Sequence, residues 1–271
     1  MTTTAIGLLM YAMTQTRSNI AYCVSVLSQY AHNSNKTHWK AAKRVFHYLC
    51  STLTISIKFK SNEEQTLEVQ GYSDSDWESD KDTEQSTTEY VFTLLSGAVS
   101  WCSKRQTTVT LFSCEAEYMT VSDITKKAVW MRGLLLKLEY NDTDCGSVSI
   151  KVDNQRAMAL VKNSEYHACT KHIDIQYHFI CEVEFKGHIQ LTYISTNWMI
   201  ADGLTKKLTA VKFEWFINLI GLKERQWWVA EKRSVRVCQM CRLFLVMWLC
   251  LLSMVLLKWY VTPQNIVQLC P

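Results

Sequence analysis

The sequence predicts an α/β domain built on a mixed sheet. Three observations carry the prediction. Short alternating segments at 67–72, 90–95 and 98–103 have the period of strands. A long amphipathic helix pattern follows at 114–138. A β-branched run at 147–152 then leads straight into Asp153. With 48% hydrophobic residues in a chain of 271, a sizeable core is within reach.

In chain order, residues 1–60 are mostly helical in pattern, with apolar patches at 6–13 and 20–27. Thr37 is placed to cap a helix whose Trp39, Ala42, Val45, Phe46 and Leu49 share one face. Lys40, Lys43, Arg44 and His47 fall on the other side, and 53–60 alternates as a short strand. Residues 67–222 form the α/β unit. Its first strand runs to Asp74, and Ser96-Gly97 turns a hairpin between the next two. In the long helix, Ala116, Met119, Ile124, Ala128, Trp130 and Leu134 are apolar. Helices are expected at 155–161 and 173–184, a strand at 188–194, and helix again from 200, with 211–219 closing the unit. Only two prolines occur, at 263 and 271, so turns must rest on Asn, Asp and Ser.

The net charge of +4 is small, but its distribution is uneven. No acidic residue precedes Glu63, whereas Arg17, Lys36, Lys40, Lys43, Arg44, Lys58 and Lys60 all do. From Arg225 onward six Lys/Arg face Glu231 alone. Basic flanks around an acidic centre suit a polyanion held at a metal site. Eleven scattered cysteines, with no secretory signal, argue against a disulfide scaffold. Cys238 and Cys241 form the one close pair, and no second pair completes a zinc site. From 226 the character changes to a hydrophobic, basic tail. Its run at 243–257 has only Ser253 polar, between Arg242 and Lys258. A spanning helix wants about 20 apolar residues. Extension through a snorkelling Lys258 to Val261 leaves two readings open, a membrane span or a tail without selected structure.

Four acidic residues stand in distinctive settings: Asp74, Glu117, Asp153 and Asp202. The patterns place them on strand, helix, strand and helix in turn. Carboxylates gathered at a sheet edge are costly unless a cation neutralises them, and divalent metals commonly do so. The order therefore points to metal-dependent phosphoryl chemistry.

Many ordered motifs lie around these residues. They include Gly71-Tyr72-Ser73-Asp74-Ser75-Asp76-Trp77, Gly97-Ala98-Val99-Ser100-Trp101 and Ser103-Lys104-Arg105-Gln106-Thr107-Thr108-Val109. Glu115-Ala116-Glu117-Tyr118, Val152-Asp153-Asn154-Gln155, Thr170-Lys171-His172-Ile173-Asp174 and Ala201-Asp202-Gly203-Leu204-Thr205-Lys206 continue them. Together they resemble the ribonuclease H domain of copia-type retrotransposon Pol polyproteins. Residues 1–60 resemble the end of the reverse transcriptase region, through Arg17-Ser18-Asn19-Ile20-Ala21-Tyr22 and His38-Trp39-Lys40-Ala41-Ala42-Lys43-Arg44-Val45. No Tyr-x-Asp-Asp polymerase motif is present, and 226–271 has no counterpart in the family.

The resemblance implies a ribonuclease H-like, five-stranded mixed sheet with flanking helices. It implies an endonuclease that cuts the RNA strand of RNA–DNA hybrids, using two Mg²⁺ ions, or Mn²⁺, about 3.5–4 Å apart. Asp74 would bridge the ions, with Glu117, Asp153 and Asp202 completing their ligands. Asp76 is a weaker candidate ligand, and Glu115 would serve the first turn of its helix. Ser103, Lys104, Arg105, Gln106, Lys171 and His172 would meet the hybrid. The implied partners are the hybrid and the remainder of a reverse transcriptase. The implied setting is a retrotransposon particle in cytoplasm or nucleus, serving DNA integration. Many members carry a histidine shortly before the last Asp. The stretch 193–197 has none here, so His172 either substitutes for it, if its loop folds back over the site, or has a structural or substrate-positioning role.

Several positions depart from the family pattern. Glu78-Ser79 replaces a small residue and Gly, Glu89 stands at a common Gly, and Lys207 at a common Pro. Phe112 and Cys114 replace small hydroxyl residues at the start of the long helix, and Gly133 lies inside it. A lost cap costs about 1 kcal/mol and an interior Gly up to about as much. No metal ligand is lost. A folded remnant that only binds nucleic acid, and a membrane-tethered product, stay open beside the nuclease.

Overall fold

The computed structural model describes residues 2–60, 68–77, 85–110, 113–138, 146–155, 157–158 and 171–224, with backbone alone at 2 and 171–177. Residues 1–225 form one compact unit. The tail at 226–271, with its apolar run at 243–261, lies outside the described residues, as does most of the helix expected at 155–161. Among the described residues no helix is long and apolar enough to cross a membrane.

Three helices open the chain: α1 (Thr2–Gln15), α2 (Ala21–Gln29) and α3 (Lys36–Ser51). They close around Ile6, Leu9, Ile20, Val24, Leu27, Ala42 and Val45. Trp39, Phe46 and Leu49 pack on that cluster, as the α3 periodicity requires. The cap of α3 is Asn35 rather than Thr37. Its Oδ1 accepts from the backbone N–H of Thr37 at 3.0 Å and of His38 at 3.1 Å, and its own N–H donates to His38 Nδ1. This is a capping box in which His takes the place of Glu.

The strand β1 (Ile55–Ile57) is shorter than its sequence pattern. It pairs antiparallel with β7 (Leu222–Glu224), which the sequence reading lacks because three residues show no alternation. The main sheet comprises β2 (Gln70–Asp76), β3 (Thr87–Leu94), β4 (Gly97–Arg105), β5 (Val148–Val152) and β6 (Ile189–Tyr193). Its order is β4-β3-β2-β5-β6. The first three strands are antiparallel, and β5 and β6 run parallel to β2. This is the ribonuclease H-like mixed sheet. The β3–β4 hairpin turns one residue earlier than expected. Leu95 and Ser96 carry the positive φ angles, 50° and 62°, while Gly97 already lies in β4. Gly97 answers another demand, since a Cβ there would lie 2.7 Å from the Phe59 ring.

Strand alternation splits the core between two faces. Gly71 and Phe92 meet the long helix α4 (Ser113–Lys137) through Ile124. Tyr72 and Val91 meet the C-terminal part of the chain, with Ile200, Leu204, Phe216 and Ile220. That part contains the short helix α6 (Asp202–Thr205) and α7 (Ala210–Leu219), and it follows α5 (Lys171–Phe185). Trp101 Nε1 donates to the Met13 carbonyl at 2.9 Å, tying β4 to α1. Two glycines set how closely the helices approach. A Cβ on Gly71 would come 2.9 Å from Phe92 and 3.1 Å from Ile124, and one on Gly203 would overlap the Phe216 ring.

Gly203→Ala is expected to destabilise the fold by about 1–3 kcal/mol, the cost of forcing a methyl into a packed core. Gly133→Ala has open space around its new Cβ. It is expected to stabilise the chain by up to about 1 kcal/mol, the helix-propensity gain. Urea denaturation of both against the parent checks the pair, and three equal midpoints would contradict the packing.

Candidate metal centre

The site grows out of strand register. Ser73 of β2 is opposite Val152 of β5 in a parallel pair, so the next residues, Asp74 and Asp153, lie side by side. The strand β2 continues to Asp76, two residues further than its sequence pattern, and this keeps Asp74 on an extended backbone. Helix α4, drawn down on Gly71, brings Glu117 to the same place. Ligand oxygens of Asp74, Glu117 and Asp153 all lie within 4.8 Å of one another. Asp74 is 2% exposed and Glu117 7%, whereas Asp153 is half-buried.

Asp202, the first residue of α6, joins from the other side. It is linked to Asp74 through Lys206, whose Nζ lies 2.7 Å from Asp202 Oδ1 and 3.5 Å from Asp74 Oδ2. Thr205 Oγ1 donates to the same Asp74 oxygen at 3.4 Å, and Thr196 Oγ1 donates to Asp153 Oδ2 at 2.8 Å. Sequence reasoning assigned no role to Thr196, Thr205 or Lys206. The i,i+4 spacing of Asp202 and Lys206 was the available signal. Glu115 sits in the first turn of α4, as expected.

The electrostatics follow from crowding carboxyls away from water. Burial pushes Asp74 up to about 9, helped by hydrogen bonding with the neighbouring Asp202 carboxyl and opposed by Lys206. Burial likewise pushes Glu117 up to about 8, with Asp153 adding to it and Ser75 pulling partway back. Asp76 is raised chiefly by burial. Burial works against the charge on Lys206, but Asp74 and Asp202 outweigh it and raise its pKa.

Glu89 is the unexpected member. It pairs across the ladder with Asp74, and strand alternation places both on one face. It is fully buried, and neither carboxyl oxygen has a hydrogen-bond partner among the described residues. Burial, then Asp74 and Asp76, push its pKa well above the usual carboxylate range. The sequence marked Glu89 only as a departure from Gly. Its place beside Asp74 depends on the β2–β3 register.

The residues expected at a hybrid fare differently. Lys104 and Arg105 are exposed at the end of β4. Ser103 is half-buried, and its hydroxyl donates to the Leu204 carbonyl at 3.5 Å. Gln106 is a correction. Its side chain is 6% exposed, and Nε2 donates inward to Thr88 Oγ1 and the Ala116 carbonyl. It therefore fastens α4 to β3 and is not presented to a ligand. Lys171 and His172 open α5, but their side chains lie outside the described residues.

The donor set fits a hard divalent cation. Every candidate ligand is a carboxylate, and Glu117 Oε2 is buried without a hydrogen-bond partner among the described residues. Such an ion would be held by Asp74, Glu117 and Asp153, with Asp202 adjoining.

Carboxyls whose folded pKa is raised favour the folded state most below their unfolded pKa. That contribution is lost as pH rises through the folded pKa. Without metal, stability is expected to fall across the interval from 3.8 to about 9 for Asp74 and from 4.5 to about 8 for Glu117. Asp74→Asn is expected to flatten that fall. Thermal unfolding in chelator across this range checks it, and a stability that rises toward alkaline pH would contradict it.

The chain matches no protein-family model. It is 39% identical over 218 residues to the retrovirus-related Pol polyprotein from transposon TNT 1-94 of Nicotiana tabacum, covering 80% of this chain and 16% of that protein. It is 37% identical over 217 residues to the corresponding polyprotein from transposon RE2 of Arabidopsis thaliana, covering 80% of this chain and 15% of that protein. The chain thus spans about a sixth of these relatives' own length. A stretch of 127 residues is 47% identical to the secreted RxLR effector protein 161 of Plasmopara viticola, covering 47% of this chain and 88% of that protein. Among solved structures, LC11-RNase H1 in complex with RNA/DNA hybrid aligns with a TM-score of 0.34 at 13% identity, over 51% of this chain and 93% of that one. That score adds nothing to the fold, which rests on the strand order. By its curated relatives and its sheet, the chain belongs to the copia-type, retrovirus-related Pol polyproteins of transposons, and its α/β unit is of the ribonuclease H type.

Proposed function

We propose that this chain is an endoribonuclease that cuts the RNA strand of RNA–DNA hybrids at the Asp74, Glu117 and Asp153 cluster. The observation that carries the reading is the convergence of these three carboxylates within 4.8 Å, two of them buried. Lys206 offsets only part of the cost of burying these acids, and a divalent ligand would relieve the rest. Mg²⁺ or Mn²⁺ is the cofactor this donor set favours, as one ion or two. Bound there, such ions would acidify the attacking water and offset charge on the scissile phosphate.

The protein's own residues set the geometry. Asp74 is fixed by its strand and by Thr205. Thr196 orients Asp153, and Lys206 holds Asp202 toward Asp74. Lys104 and Arg105, exposed at the end of β4, would meet a phosphate backbone. Contacts to 2′-hydroxyls would select RNA over DNA. The working partner would be a hybrid made by a polymerase elsewhere in the polyprotein, inside a retrotransposon particle in cytoplasm or nucleus. A tether through 243–261 would place the product at a membrane instead.

Glu89 favours a second reading. A buried acid beside Asp74 adds negative charge, or a proton, to the floor of the site. On that reading the chain is a remnant that binds nucleic acid without turnover.

Asp74→Asn is expected to reduce cleavage of a labelled hybrid by at least about 100-fold, the scale of losing one preorganised catalytic group. Hybrid binding in chelator should survive. Equal cutting by variant and parent would refute the assignment. No cutting by the folded parent at any metal concentration would establish the remnant.

A further inference from the structure

Beside the metal centre, Asp202 borders a cleft of about 390 Å³. That volume falls within the range of about 300–1,000 Å³ usual for ligand pockets. Asp202 and Thr196 line its near side, and Thr196 is the residue that donates to Asp153. Trp198, Trp215, Val211 and Lys212 also line it. Trp198 is 61% exposed and Val211 78%, so the cleft keeps apolar surface in contact with water. The two indole rings lie 6.0 Å apart, tilted by 56°. At 6.0 Å the rings are too close for a third ring to stack between them, while the exposure of Trp198 leaves ring surface for a base to cover.

Resting on the ribonuclease reading above, we propose that this cleft receives one unpaired base of a nucleic-acid strand leaving the metal centre. The base stacks on Trp198, and Lys212 meets the adjoining phosphate. Three observations favour this ligand over an apolar peptide. The cleft borders a carboxylate cluster suited to phosphodiester chemistry, through Asp202 and through Thr196, which bonds Asp153. Its aromatic faces accept any base without base-specific hydrogen bonds. An exposed lysine stands on its rim, where a backbone phosphate needs a cation. A base inside a duplex is already stacked and paired, so the cleft can be filled only where a strand runs beyond its partner. The site therefore gives the chain a preference for hybrids with single-stranded extensions.

The test is fluorescence anisotropy with the full chain in chelator, where no cutting occurs. The probes are a short blunt RNA–DNA hybrid and the same hybrid with a single-stranded RNA extension at either end. The parent chain is expected to bind one extended hybrid about tenfold more tightly than the blunt one, the scale of a base–aromatic stack. Trp198→Ala should remove that preference and leave blunt-end binding unchanged, while Trp198→Phe should keep most of it. Trp198 is exposed, so its truncation leaves the packed core untouched. Equal affinity of the parent for all three hybrids would overturn the proposal, as would a preference that persists in Trp198→Ala. A chain that cuts hybrids but shows no preference defeats the stacking site alone. A preference without cutting defeats the ribonuclease reading and leaves the site standing.

Discussion

The structure depends on one constraint: carboxylates from distant parts of the chain are held together where water screens them poorly. The parallel register of β2 and β5 sets Asp74 beside Asp153. The packing of α4 through Gly71 and Ile124 sets Glu117 against both. Each group alone would be better hydrated in the unfolded chain. Their proximity is sustained by the hydrophobic faces behind them. Phe92 and Ile124 lie on one side of the sheet, and Tyr72, Leu204 and Phe216 on the other. The core thus supplies the energy that keeps the site assembled.

Charge balance within the site is local. Among the described residues, Lys206 is the cation facing Asp74 and Asp202, and it stands one helical turn after Asp202. It opposes the upward shift of Asp74, Asp76, Glu89 and Glu117 without cancelling it. Glu89 moves the balance the other way. A glycine at that ladder position would leave Asp74 one acidic neighbour fewer. The metal-free site is therefore poised between protonation and cation binding, and each relieves the same repulsion.

Much of this was legible in the sequence, because the relevant signals are local. The 114–138 helix, the 147–152 strand and the four acidic positions all rest on periodicity or on contiguous motifs. What depends on pairing partners was not legible. β7 is too short to show a pattern, and it exists through β1. Gln106 has the composition of a backbone-binding residue, yet a pocket formed by Thr88 and Ala116 takes its side chain inward. Asn35 and Thr37 are both good caps, and only the helix start decides between them. Glu89 was visible as an odd residue, but its meaning came from lying opposite Asp74. The aromatic cleft joins Trp198 to Trp215 of α7, a juxtaposition that tertiary packing creates.

The claim that these carboxylates form a divalent-metal site is tested most directly by calorimetric titration of the full chain with Mn²⁺. The parent and Asp153→Asn would be compared at neutral pH, without nucleic acid. The account expects saturable binding by the parent that is strongly weakened in the variant, because register alone places Asp153 among the ligands. Equal binding by both chains, or none by a folded parent, would contradict it.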